Sequence, residues 1–75
     1  MIDFIKDINK LKIIYKKQEL YISNFISILD INSDEVILRS NKGLIKVYGS
    51  NIVLSMLLDN EILLKGNIMR IDLDE

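Results

Sequence analysis

The chain has 75 residues and a formal net charge of −1, and it contains no cysteine, histidine or proline. A chain of this size forms one domain, residues 1–75, around a small core that buries roughly 60–65% of the surface exposed on unfolding. The composition excludes disulfides and thiolate sites, and it removes imidazole, the commonest general base, nucleophile activator and metal ligand.

Residues 2–11, IDFIKDINKL, place Phe4, Ile8 and Leu11 on one helical face with Ile5 beside them, a short amphipathic N-terminal helix candidate that needs docking to persist. LKIIYKK follows and reads as a strand, which keeps an extended alternative open. From Glu19 onward Ile, Val, Leu and Tyr dominate. Short apolar segments (LYI, ISILDI, EVILRS, LIKVY, NIVLSML, EILLK, NIMRIDL) alternate with polar breaks (SNF, NSD, SNKG, GSN, LDN, GN). Turn signals roughly every 8 to 10 residues predict an all-β domain of short antiparallel strands, built as a meander, small sandwich or barrel.

The three glycines fall at these breaks. Gly43 in NKG reads as a hairpin turn. Gly49 in YGSN and Gly66 in KGN read as turns or bulge points, where a positive φ is needed and a side chain would obstruct. EILLKGNIMRIDL thereby becomes two short strands folded about Gly66, each burying one face. LIKVYGSNIVL and ILLKGNIMRI echo one another weakly. Leu57 and Leu58 end a strand against a turn, and Met56 and Met69 read as core filler.

Hydrophobic residues make up 49% of the chain and mean hydropathy is +0.22. That surplus of apolar surface predicts self-association or a partner surface. Charge is uneven: residues 6–17 hold five lysines against Asp7, and residues 51–75 hold two cations against five carboxylates. No stretch reaches the ~20 apolar residues of a membrane helix, and Asp3, Lys6 and Asp7 break any signal-peptide core. A soluble cytoplasmic protein is the expectation.

Chemistry-bearing motifs fail on inspection. Ser23, Ser27, Ser33, Ser40, Ser50 and Ser55 have no basic partner by type and sit in turn or strand-edge contexts. In DINSDE, Asp30, Asn32 and Asp34 have calcium-loop spacing, but the sixth position is Glu35 where Gly is required and the twelfth is Asn41 where Glu is required. GLIKVYGS lacks Walker spacing, and the acidic end DLDE reads as a solvated terminus. No catalytic, cofactor-binding or metal-ligating residue is expected, and no cofactor. Lys10, Lys12, Lys16 and Lys17 with Tyr15 and Tyr21 form a basic-aromatic set, and a short helix before about five strands is the plan of Sm-like RNA-binding rings. A nucleic-acid-binding small barrel is therefore the alternative reading. The negative net charge and the pI of about 5.3 weigh against it.

From Tyr21 onward the chain resembles the YabP/YqfC family of sporulation proteins, nearest its YqfC branch. The stretch NKGLIKVYGSNIVLSMLLDNEILLKGNIMRIDL carries the resemblance through Lys42, Gly43, Gly49, the triplet Ile52, Val53 and Leu54, and EILLKG ending at Gly66. ELYISN and NSDEVILRS fit upstream, and EILLKGNI closely matches the C-terminal motif of that branch. The resemblance spans residues 11–73, and MIDFIKD matches nothing diagnostic in the family. It implies a small β-rich domain without known enzymatic activity, acting in the mother cell during spore formation. The YqfC branch is typically encoded beside a sporulation membrane protein, which implies such a partner. The family has no established catalytic residues, and none is carried over. Function is therefore expected to be non-enzymatic. The chain would be an interaction module that self-associates or binds a sporulation membrane protein, in the mother-cell cytoplasm or at the spore envelope through that partner.

Overall fold

The computed structural model describes residues 10–74, and the N-terminal helix candidate lies outside the described residues. The domain is all-β. Six strands run β1 (Lys12–Lys16), β2 (Glu19–Ser23), β3 (Ser27–Ile31), β4 (Glu35–Ser40), β5 (Gly43–Leu57) and β6 (Glu61–Asp74). They form one antiparallel sheet in the order β1-β2-β6-β5-β4-β3. Among the described residues no helix is long and apolar enough to cross a membrane.

β5 and β6, with 15 and 14 residues, are more than twice as long as the other strands, and each is shared between two partners. Residues 43–48 of β5 pair with β4, whereas residues 61–65 of β6 pair with β2. Between these regions both long strands bulge and change direction. Asn51 has φ 55° and Gly66 has φ 142°. The register shifts between Tyr48 and Gly49 and again between Ser50 and Val53. The sheet folds over itself at this corner and makes two layers. One contains β1, β2, residues 61–65 and residues 53–57, and is called here the Tyr21 layer. The other contains β3, β4, residues 43–48 and residues 68–74, and is called the Tyr48 layer.

The core lies between the layers. Its eight fully buried side chains form four cross-strand pairs: Leu20 opposite Leu64, Ile22 opposite Ile62, Val36 opposite Val47, and Leu38 opposite Ile45. Each layer contributes two pairs, because alternate residues of a strand point to one face. Phe25 and Ile52 complete the cluster from the connections between layers. Asn24, at φ 67°, turns the chain from β2 across to β3. Its N–H donates to the Asn60 carbonyl at 2.7 Å and its Nδ2 donates to the Lys10 carbonyl at 2.6 Å.

The layers are related by an internal pseudo-twofold. Ile45, Val47, Gly49 and Ile52 on β5 correspond to Ile62, Leu64, Gly66 and Ile68 on β6, and β4 corresponds to β2. Equivalent hydrogen bonds confirm the relation. The Gly49 N–H donates to the carbonyl of Asp34, just before β4, at 3.1 Å, and the Gly66 N–H donates to that of Gln18, just before β2, at 3.0 Å. The weak sequence echo is thus a structural repeat, lying antiparallel to itself.

This corner corrects the turn reading at two glycines. Neither Gly49 nor Gly66 reverses the chain; both sit at bulges inside continuous strands. The bulge alternative holds, and the reason is close approach. A Cβ on Gly49 would run into the Asn67 carbonyl oxygen, and one on Gly66 would lie 2.6 Å from the Asn51 carbonyl oxygen and 2.8 Å from Ile52 Cα. Gly43 does follow a hairpin loop, Asn41 and Lys42. There the Ser40 hydroxyl donates to the Gly43 carbonyl and accepts from the Lys42 N–H.

Candidate interaction surface

Folding the sheet at its corner creates two edges in each layer. The Tyr21 layer ends at β1 and at residues 53–57 of β5; the Tyr48 layer ends at β3 and at residues 68–74 of β6. Among the described residues no strand pairs with the outer side of any of the four. Such edges present unpaired backbone N–H and C=O groups and are templates for another strand, and charged side chains are the usual guard. Three of these edges carry charge. β1 holds Lys12 and Lys16, β3 holds Asp30, and the β6 edge holds Arg70, Asp72 and Asp74.

The fourth edge differs. Residues 52–58 read IVLSMLL and contain no charge. Ile52 is buried and its N–H donates to the Ser33 carbonyl at 2.8 Å, which anchors the segment. Beyond it the side chains are open to solvent: Val53 is 58% exposed, Leu54 42%, Met56 37%, Leu57 47% and Leu58 52%. Met56 and Met69 are therefore not core filler, which corrects that expectation. Met56 pairs with Leu63 on the outer face, and Met69 is the extra residue of a bulge opposite Tyr48 and Gly49.

The outer faces of the layers also differ. Across the Tyr21 layer the register aligns Ile14, Tyr21, Leu63 and Met56 in one row, an apolar band that runs from β1 to the uncharged edge. Lys16, Glu19 and Lys65 form the row beside it, with Lys65 Nζ 3.6 Å from Glu19 Oε2. The Tyr21 hydroxyl donates to Glu61 Oε1 at 2.7 Å. That bond, and then desolvation, raises the phenol above its ordinary value of 10.0. The Tyr48 layer is instead charged on its outer face. Arg70 lies 4.6 Å from the Tyr48 ring centroid and 3.2 Å from the Asp72 carboxylate, and Lys46 pairs with Asp72 in the ladder.

The other sequence candidates are dispersed. Tyr15 pairs with Leu20 and faces inward, whereas Tyr21 pairs with Ile14 and faces outward, so the basic-aromatic set is split between two faces. Asp30 belongs to β3, and its carboxylate accepts from Asn32 Nδ2 at 2.9 Å, which fits a polar turn. Among the described residues no three acidic side chains gather in a way that could hold a metal ion. A cleft of about 380 Å³ near the β4–β5 hairpin is lined by Leu11, Asn24, Ser40, Lys42, Leu44 and Leu73, among others. The uncharged edge was not visible as a site in the sequence. Its seven residues look like any core strand until the pairing order shows that one side has no neighbour.

No protein-family model, curated protein or solved structure matches the chain.

Proposed function

We propose that this protein is a non-enzymatic interaction module acting in the mother cell during spore formation. The observation that carries the interaction half is the uncharged, solvent-exposed edge at residues 53–57, continuous with the apolar row on the outer face of the Tyr21 layer. A small domain that leaves four large apolar side chains open along one unpaired strand, with Leu58 just beyond it, has a surface suited to β-augmentation. Backbone hydrogen bonds there supply affinity, and alternate side chains supply specificity. The sporulation half is supported by the resemblance of residues 11–73 to the YabP/YqfC family, centred on the glycine corner and on EILLKGNI. The partner is a second copy of the chain or a membrane protein of sporulation, and the place of action is the mother-cell cytoplasm or the spore envelope.

A clean deletion in the source organism, scored for heat-resistant spores, tests this function. Loss of heat resistance with normal vegetative growth is the expected result, together with expression confined to the mother cell. Vegetative expression with normal spores would overturn it.

A further inference from the structure

We infer that residues 53–57 are a homodimer seam, at which the open edge of one chain lies antiparallel to the same edge of a second copy. This rests on the interaction-module reading and assigns its partner.

Charge and apolar exposure together select this edge. In an antiparallel twofold contact residue i of one copy faces residue j of the other, so a short edge that carries one sign of charge brings like charges together. The β6 edge, which carries both signs, exposes only two large apolar side chains, Met69 and Leu73. Pairing β1 with a second β1 would set Lys12 against Lys16, and pairing β3 with a second β3 would bring Asp30 near its own copy. The segment 52–58 has no such conflict, and its nearest charge, Asp59, lies in the following turn. It is also the edge where the apolar row of the Tyr21 layer ends. A second copy across the seam would extend Ile14, Tyr21, Leu63 and Met56 into a band twice as long, over a sheet of eight strands.

The contact is modest. Ser55 is the extra residue of a bulge in this edge, which limits the regular ladder to a few residues. Side-chain burial therefore dominates. The four exposed apolar residues of the seam and the adjoining Leu58 offer on the order of 400 Å² per copy, the size of the largest apolar patch on a typical monomer. Two copies bury roughly 800 Å², below the ~1,200 Å² of a standard stable interface, so the dimer forms in the micromolar range or weaker.

Sedimentation of the full chain from about 1 µM to several hundred micromolar tests this. The weight-average mass is expected to rise from 8.7 kDa toward twice that value. Met56→Lys and Val53→Lys each place a charge at the seam on a side chain that is already exposed, and both should hold the chain monomeric with an unchanged circular dichroism spectrum. Leu29→Lys on β3 and Met69→Lys on β6, both at exposed positions away from the seam and its apolar row, should leave the mass curve within a fewfold of the parent. Because the chain has no cysteine, Ser55→Cys adds a second readout: oxidation should join two copies through that position, and Met69→Cys should not. A monomer at all concentrations overturns the homodimer. A dimer broken by Leu29→Lys or Met69→Lys but not by the two seam variants overturns the seam. The proposed function fails separately, on vegetative expression with normal spores.

Discussion

Gly66→Ala is the sharpest probe of the fold, because two independent costs fall on one methyl group. The backbone at Gly66 has φ 142°, a conformation that residues with a Cβ rarely adopt. Holding alanine there costs about 1–3 kcal/mol. The new Cβ would also lie 2.6 Å from the Asn51 carbonyl oxygen and 2.8 Å from Ile52 Cα. Both are backbone atoms of the opposing strand, so no side chain can rotate away. Forcing the strands apart adds about 1–3 kcal/mol, as in overpacking. The total of about 2–6 kcal/mol compares with roughly 4–11 kcal/mol for a whole domain of this length. At about 4–8 °C per kcal/mol, the melting temperature should fall by at least ~8 °C. Thermal unfolding followed by circular dichroism measures it, with the nearby Ser50→Ala as a control that should shift the midpoint by only a few degrees. A Gly66→Ala variant within ~1 kcal/mol of the parent would refute the crossed-strand corner.

Other substitutions follow from the same geometry. Leu64→Ala removes a fully buried side chain at the centre of a cross-strand pair and should cost about 2–5 kcal/mol in urea unfolding. Lys17 and Gln18 form the β1–β2 turn with φ of 51° and 66°, so replacing them by Asn and Gly should stabilise the domain by about 1 kcal/mol. Lys65→Ala breaks an exposed ion pair and should change stability by less than ~1 kcal/mol. The Tyr21 phenol is raised, so its neutral form is favoured by folding. Its contribution is complete below pH 10 and fades as pH rises through the folded value. In an absorbance titration of tyrosinate, Glu61→Gln should move that phenol down toward 10.0, and an unchanged curve would contradict the bond.

Much of this fold was legible in the sequence. EVILRS is β4 residue for residue, and the segments LYI, ISILDI and LKIIYKK coincide with β2, β3 and β1 to within a few residues. Short segments rich in Ile, Val, Leu and Tyr, bounded by polar breaks, carried that information; the segment ISILDI does not alternate cleanly, and β3 is mostly exposed. The polar breaks NSD and LDN are turns, as expected. GSN and GN misled in one respect. A glycine that accepts a positive φ serves a turn or a bulge equally well, and only the crossing strand decides between them. LIKVY with NIVLSML is one strand, and EILLK with NIMRIDL is another. The β1–β2 turn was invisible because Lys17 and Gln18 are not turn-forming types; the close pairing of Lys16 with Glu19 forces them into it. The candidate site was hidden for a similar reason. Apolar residues at 53, 54, 56 and 57 signal burial, and whether anything covers them depends on which strand β4 abandons at Tyr48.

If the chain works through its uncharged edge, a charge placed there abolishes function. Complementing the deletion strain with Met56→Lys, beside the parent chain and Met69→Lys, tests this. The parent and Met69→Lys should restore heat-resistant spores, whereas Met56→Lys, present at equal abundance, should not. Full rescue by Met56→Lys would contradict it.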